Sequence, residues 1–281
     1  MTTTTKTTKL SGIAKLIGPR ALLGAALLVC AGAGAQQKST ADGIAEYRRM
    51  LEDGNPAELF EAKGEALWKQ KRGPKNASLE QCDLGKGPGK VAGAFVELPR
   101  WFADTGKVQD LESRLLTCMS TLQGFNAAEI ASTPFGRGEQ ASIEGLVAFI
   151  SAESRGMKFN LPQGHPEERK MAELGQRAFF YRAGPYDFAC ASCHGEAGKR
   201  IRLQDLPDLT TNPGDGIGFA AWPAYRVSSG ELWGMQRRLN DCFRQQRFPY
   251  PGYASDVTVA LGVYMGVNAK GAVSVAPALK R

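Results

Sequence analysis

The sequence predicts a mainly α-helical protein that consists of two tandem domains of the same kind. Three observations support this. A Cys-x-x-Cys-His motif at residues 190–194 lies between two stretches with helical periodicity, and segments of the first half recur in the same order in the second half. The first 35 residues have the features of a leader that is removed, and the remaining chain is long enough for two such domains.

Residues 1–35 are predicted to be a cleaved signal peptide. Four basic residues and no acidic one come with the apolar run Ala21–Val29, which is too short to span a bilayer, and small residues precede the expected cleavage after Ala35. Val29 stands before Cys30, where a lipoprotein signal needs a small residue, so Cys30 is expected to leave with the peptide. We therefore expect a periplasmic protein without a membrane anchor.

Removal of the leader changes what the charge implies. The whole chain has 35 basic and 28 acidic residues, a formal charge of +7, and loss of four basic residues leaves 31 against 28, or +3. This small excess gives no reason to expect a nucleic-acid partner.

The motif in the second half is the attachment signal of a c-type haem. The Cys190 and Cys193 thiols are spaced to add to the two vinyl groups of a haem, and His194 then places its imidazole on the iron. An amphipathic stretch from Arg169 to Arg182 precedes the motif, and Asp256 to Val267 is predicted as a closing helix. This order of elements is typical of a class I cytochrome c.

The first half aligns with the second at two offsets. At an offset of 111 (175 minus 64), residues 64–68 align with 175–179, and at the same offset Leu79, Cys82 and Asp83 align with Cys190, Cys193 and His194. At an offset of 124, Pro99, Trp101, Gly106, Arg114, Leu115 and Cys118 align with Pro223, Tyr225, Gly230, Arg238, Leu239 and Cys242. In the closing helices, Phe149 and Gly156 align with Tyr264 and Gly271.

The alignment predicts two cytochrome c-like domains, 36–156 and 157–281, with haem only in the C-terminal one. The first domain has lost one cysteine and the histidine of the motif, so one covalently bound haem is expected in the chain. The breaker-rich segment 162–166 is predicted to link the domains, and its His165 is expected to be a surface residue rather than a ligand.

Cys118 and Cys242 occupy equivalent positions, where the distal face of a haem is covered. In the first domain Cys82 and Cys118 are expected to lie close enough for a disulfide that replaces the lost cofactor. In the second domain Cys242 has no thiol left to pair with, and it is a candidate sixth ligand. A free buried thiol is the simpler interpretation of Cys242, and Met235 or Met265 is the alternative ligand.

Arginines surround Cys242 in sequence. Arg238 precedes it by four residues and shares its face of a helix, and Arg247 follows it by five. Nearby cations lower the pKa of a thiol and bind oxyanions through bidentate hydrogen bonds, so we expect a reactive thiolate beside an anion site. A solvated helix face is the alternative explanation, above all for Arg237 and Arg244.

Over essentially the whole mature chain the sequence resembles the SoxA family, the cytochrome subunits of the SoxAX complex of bacterial sulfur oxidation. The resemblance lies in residues 98–106, the Cys118-Met119 step, the motif with Gly195, and above all the arginines flanking Cys242. Unlike the dihaem members, the chain has no Cys-x-x-Cys-His motif in its first domain, and the Cys82–Cys118 disulfide fits the single-haem branch.

The resemblance implies an L-cysteine S-thiosulfotransferase that couples thiosulfate to a cysteine of the carrier SoxYZ. It implies His194 as the proximal iron ligand, Cys242 as distal ligand and active-site sulfur, and Arg238 and Arg247 as residues that hold the substrate. Electrons would pass to the small cytochrome SoxX, which forms a heterodimer with the chain, and then to a soluble acceptor.

Two other functions remain open at this point. One is a plain electron-transfer cytochrome with Met235 as the distal ligand and the arginines as a docking patch. The other is a sensor or structural subunit in which Cys242 only binds the iron.

Overall fold

Two pairs of long helices organise the fold. The structure, a computed structural model, describes residues 42–43, 46, 49–50, 54–201, 204–211 and 217–280. The predicted leader, with Cys30, lies outside these residues. Arg48–Arg281 form one compact unit.

The helices in chain order are α1 (Ala57–Lys69), α2 (Leu111–Cys118), α3 (Ala127–Ser132), α4 (Gly138–Ala152), α5 (Pro166–Phe180), α6 (Cys190–His194), α7 (Ile217–Ala220), α8 (Met235–Gln245) and α9 (Asp256–Asn268). A short 3-10 turn covers Phe95–Glu97, and a π turn, Met119–Gln123, extends α2. The predicted closing helix is therefore confirmed as α9, whereas the helix predicted from Arg169 begins earlier, at Pro166.

The strands are short and form three small sheets. They are β1 (Arg100–Phe102), β2 (Lys107–Gln109), β3 (Arg200–Ile201), β4 (Gln204–Asp205), β5 (Ala224–Arg226), β6 (Glu231–Trp233) and β7 (Ala278–Lys280). β1 pairs with β2 and β3 with β4, both antiparallel, and β5 lies between antiparallel β6 and parallel β7. No helix in the described ranges is long and apolar enough to cross a membrane.

Each half contains one close helix crossing. A Cβ placed on Gly64 of α1 would lie 2.0 Å from the carbonyl oxygen of Gly145 in α4, and one on Gly175 of α5 would lie 2.0 Å from that of Ala260 in α9. These distances are below van der Waals contact, so both crossings require a residue without a side chain. Gly64 and Gly175 are partners at the first of the two sequence offsets.

Other elements also correspond at the offsets found in the sequence. At the first offset, the bridge between Arg72 and Ala77 recurs between Ala183 and Phe188. At the second offset, the hairpin β1–β2 recurs as β5–β6 with the same register. Apolar side chains form one large core around α1, α2 and α4 and a second around α5 and α9.

Two buried carboxylates tie the halves together. Glu112 of α2 accepts hydrogen bonds from the Gln236 backbone N–H (3.0 Å) and the Tyr253 hydroxyl (3.1 Å). Burial and, to a lesser extent, the neighbouring Asp110 raise the pKa of Glu112 to about 8. In the other direction, Glu168 of α5 accepts a hydrogen bond from the Trp101 backbone N–H (2.9 Å).

His165 is a helix cap and not a free surface residue. Its Nδ1 accepts a hydrogen bond from the Glu167 N–H (3.2 Å), its own N–H donates to Glu168 (3.0 Å), and its ring stacks on Trp101 with centroids 4.2 Å apart. This reciprocal capping begins α5 at Pro166. The role was not apparent from the sequence, because the proline and glycine residues around His165 are typical of a loop, and a capping residue stands at the boundary between a loop and a helix.

Candidate functional site

The predicted haem motif opens onto a cleft of about 990 Å³. Cys190, Cys193 and His194 on α6 lie on its wall together with Arg238 and Cys242 on α8. Five of the six residues predicted for the site in the second half are thus brought together from two helices that are far apart in sequence.

His194 is oriented for metal binding through its second nitrogen. Its Nδ1 lies 2.9 Å from the Pro207 carbonyl oxygen, which can only accept, so Nδ1 carries the proton and Nε2 keeps its lone pair. Burial lowers the pKa of His194; the Pro207 bond opposes this effect, and the Arg238 cation adds to it. A neutral imidazole with a fixed tautomer is the form that binds iron.

The cysteines of the two halves differ in their bonding. Cys82 and Cys118 form a disulfide with a Cα–Cα distance of 5.6 Å and are buried in the first core. Their partners at the two offsets, Cys193 and Cys242, are both free thiols, as is Cys190. The disulfide therefore marks two backbone positions that face each other, and in the second half a cleft separates them.

These residues fit a covalently bound haem c. Two free thiols with the attachment spacing, a partly buried imidazole with Nε2 available and a facing thiol surround one cleft. Burial and, to a lesser extent, the neighbouring Cys242 raise the pKa of Cys190 to about 12.

The pKa of the Cys242 thiol differs from the expectation. Arg238 and Arg226 do lower this pKa, but burial raises it by more, and the Asp241 carboxylate adds to the increase. The expected lowering of this pKa by arginines is therefore present but outweighed. Sequence proximity revealed the cations but not the desolvation that outweighs them.

The arginines of α8 have different surroundings. Arg238 lies over the Trp222 ring, 5.6 Å from its centroid, and makes one 3.2 Å contact with Asp241. Exposed Arg244 contacts the same carboxylate at 2.7 Å. Arg237 pairs with Glu144 (2.9 Å) and with Glu231, so it connects α8 to α4 and β6.

The structure does not bring Arg247 into the cleft. The helix ends at Gln245, and Arg247 has a left-handed backbone (φ 59°), is exposed and does not line the cleft. Its proximity to Cys242 in sequence therefore does not make it part of the cleft wall.

Arg226 is a residue that the sequence analysis missed. It ends β5, lines the cleft and is electrostatically coupled to Arg238 and Cys242. Burial, followed by repulsion from Arg238, lowers its pKa. The sequence analysis missed it because it lies outside the arginine-rich run around Cys242. The alignment at the offset of 124 could have pointed to it, since Arg226 stands where the first half has the aromatic residue Phe102.

Two methionines also line the cleft. Met235 begins α8 and is partly buried, and Met265 of α9 is buried within the second core. Both methionines therefore lie on the wall of the same cleft as Cys242, the other candidate for the distal ligand.

The model of the family described as SoxA/TsdA, cytochrome c domain, matches residues 63–159. The chain is similar to the L-cysteine S-thiosulfotransferase subunit SoxA of Hydrogenophilus thermoluteolus, with 55% identity over 238 residues that cover 85% of this chain and 87% of the relative. It is also similar to a subunit of the same name from Hydrogenobacter thermophilus, with 31% identity over 92% of this chain and 96% of the relative.

Among solved structures, the chain resembles one in the crystal structure of SoxXA from P. pantotrophus. The TM-score is 0.69, the sequences are 25% identical, and the match covers 84% of each chain.

Proposed function

The chain belongs to the SoxA family of L-cysteine S-thiosulfotransferase subunits, and on this premise we propose that it conjugates thiosulfate oxidatively to a cysteine of a carrier protein. The observation that supports this most directly is the free thiol of Cys242 next to Arg238 in the cleft of the haem motif. A plain electron carrier needs neither a sulfur nucleophile nor an anion-binding cation at this point.

The cytochrome c domain implies haem c, and we propose that a single haem is held in the C-terminal domain (157–281) by Cys190, Cys193 and His194, with Cys242 as distal ligand. The N-terminal domain (36–156) would be a cytochrome c-like domain without haem. Asp83 stands where the motif's histidine would be, and its carboxylate accepts hydrogen bonds from the backbone N–H groups of the loop at Gly85 (2.7 Å) and Gly87 (2.9 Å).

The bound haem would supply a one-electron acceptor beside Cys242. The Cys242 thiolate would form an S–S bond with the sulfane sulfur of thiosulfate, giving Cys242–S–S–SO₃⁻ and two electrons, which the partner cytochrome would take up one after the other. The carrier's cysteine thiolate would then attack the same sulfane sulfur, forming carrier–S–S–SO₃⁻ and releasing the Cys242 thiolate. Arg238 would hold the anionic substrate during both steps.

The partners follow from the family. SoxA is named with SoxX in the solved SoxXA structure, and we propose a heterodimer with a small SoxX-type cytochrome that takes up the electrons and passes them to a soluble acceptor. The acceptor cysteine would belong to a SoxYZ-type carrier. The predicted leader supports a periplasmic location for this chemistry.

The decisive test is Cys242→Ala in the haem-loaded chain with its partner cytochrome, carrier and thiosulfate. We expect thiosulfate-dependent cytochrome reduction to fall by at least about 10³-fold, because the variant lacks the nucleophile. Haem should remain covalently bound, since both attachment thiols are intact, while its absorption spectrum changes with loss of the distal sulfur.

The matched control is Met235→Leu, which introduces the residue found at the equivalent position, Leu111. Because Met235 lines the cleft, a plain electron-transfer cytochrome with methionine ligation is the competing function. An altered spectrum in Met235→Leu, together with unchanged turnover and an unchanged spectrum in Cys242→Ala, would contradict the proposal and favour the electron carrier.

A further inference from the structure

Arg114 in the first half shows how the fold accommodates a buried arginine without a ligand. Its side chain is 5% exposed and contacts both carboxylate oxygens of Asp104, at 2.9 and 2.8 Å. Its Nε donates to the Asp83 carbonyl (2.6 Å), and its guanidinium lies 4.0 Å from the centroid of the Phe102 ring. The charge is neutralised, and the donors on both edges of the guanidinium have acceptors.

The second half keeps the arginine and changes its neighbours. At the offset of 124, Arg114 becomes Arg238, Phe102 becomes Arg226 and Asp104 becomes Ser228. The ring is replaced by a cation and the carboxylate by a hydroxyl. The first exchange adds a positive charge and the second removes a negative one, so the net charge at this place in the fold is more positive by two than in the first half.

Arg226 has no contacting carboxylate in the described part of the chain. Its Nε is buried and has no hydrogen-bond partner among the described residues, and in the same part of the chain its side chain makes no salt bridge. Its guanidinium lies 4.9 Å from the centroid of the Trp233 ring, which fixes the plane of the group without supplying an acceptor.

Arg238 is neutralised only in part. Its 3.2 Å contact is with Asp241, whose two oxygens also accept hydrogen bonds from Arg244 and from the Gln245 amide, both at 2.7 Å. One carboxylate therefore contacts two arginines, and it acts on Arg226 only through space, without a hydrogen bond or salt bridge among the described residues. Two partly buried guanidinium groups on one cleft repel each other, and an anion with several oxygens between them removes both the repulsion and the unsatisfied donor.

We propose that Arg226 is a second substrate-binding residue that, with Arg238, holds the sulfonate end of thiosulfate in the cleft and leaves the sulfane sulfur to Cys242. This inference rests on the proposed function and extends it. Two planar guanidinium groups match the three oxygens of a sulfonate better than one. A thiol or a sulfide has no oxygens and cannot form bidentate hydrogen bonds with them.

The test is thiosulfate binding to the oxidised, haem-loaded protein by isothermal titration calorimetry, without the carrier, followed by steady-state turnover with it. In Arg226→Gln we expect the thiosulfate dissociation constant and KM to rise about 10- to 100-fold, the range for a lost charge-assisted hydrogen bond to a buried donor. In Arg226→Lys the increase should be smaller, because the charge remains and the fork is lost.

The control is Arg155→Gln, which removes an arginine that lines the same cleft but is paired with Glu61. We expect its dissociation constant to stay within about twofold of wild type. An unchanged haem spectrum in all variants shows that they are folded, and Arg226→Phe, which restores the residue of the first half, provides a second variant compatible with the fold.

The outcomes separate this inference from the proposed function. Wild-type turnover with an unchanged dissociation constant in Arg226→Gln overturns the role of Arg226 alone. Thiosulfate binding that is weakened in Arg226→Gln but not in Arg155→Gln supports the role of Arg226. If, in addition, the wild-type protein transfers nothing to the carrier, the proposed function fails while the role of Arg226 in binding stands. Equal weakening in both variants overturns the inference, because a general charge effect then explains the binding.

Discussion

The disulfide of the first half allows a quantitative prediction. Cys82 and Cys118 are 36 residues apart in sequence, and closing a loop of this length lowers the entropy of the unfolded chain. In the chain-entropy relation the constant is about 2.1 cal/mol/K and the logarithmic term about 10.7 cal/mol/K. Together they correspond to a stabilisation of the folded protein by about 4 kcal/mol at 25 °C. We expect Cys82→Ala/Cys118→Ala to lower the free energy of unfolding by this amount.

Urea unfolding of the haem-loaded protein, followed by far-UV circular dichroism, measures the effect. With an m-value of about 2.5 kcal/mol per M, the midpoint should fall by about 1.5 M. The haem spectrum without urea should not change, because both cysteines belong to the first core and not to the cleft. Val91→Ala is the control, since it removes apolar side-chain atoms that pack against the same core but no cross-link.

A midpoint shift below about 0.5 M in the double variant would refute the reasoning, because the cross-link would then contribute little to the restriction of the unfolded chain. A change in the haem spectrum of that variant would refute the assignment of the disulfide to a structural role separate from the cofactor.

Two further predictions concern packing and pH. Gly64→Ala and Gly175→Ala should each destabilise the protein by about 3 kcal/mol in the same urea assay, since each added methyl group would lie 2.0 Å from a backbone carbonyl oxygen. The control is Gly164→Ala, because a Cβ at Gly164 meets no atom within 4 Å. A similar loss of stability in the control would contradict the packing argument. Glu112 has a folded-state pKa of about 8, above its value when unfolded, so its protonated form favours folding. The free energy of unfolding should therefore fall as pH rises from about 5 to 8, by up to about 1.4 kcal/mol per pH unit. In Glu112→Gln this pH dependence should be weaker. An equal slope in the variant would show that Glu112 does not cause the pH dependence.

Features that depend on contiguous residues were predictable from the sequence. The haem motif is a single short segment, and one turn of helix α6 brings its side chains together. The pairing of Cys82 with Cys118 was predictable as well, because the internal repeat relates two distant segments to the same fold. In that case the second copy supplied the spatial information that a single domain lacks.

Features that depend on the path of the chain between elements were not predictable. Arg247 is close to Cys242 in sequence, but the helix ends between them and turns the arginine away from the cleft. Arg226 is much farther from Cys242 along the chain, and the hairpin β5–β6 returns it to the cleft. The net pKa of Cys242 was also out of reach, because desolvation depends on all the elements packed around a group.

The two buried carboxylates that join the halves limit how the chain can be divided. Glu168 at the start of α5 needs the Trp101 N–H of the first half, and Glu112 of the first half needs the Gln236 N–H at the start of α8. Excision of residues 157–281 as a minimal cytochrome would leave the Glu168 carboxylate and the Gln236 N–H without these partners, in helices that lead to the haem motif and to Cys242. The first half thus supplies hydrogen-bond partners to the starts of α5 and α8, and a gene truncated to residues 157–281 would encode a module that lacks part of its own scaffold.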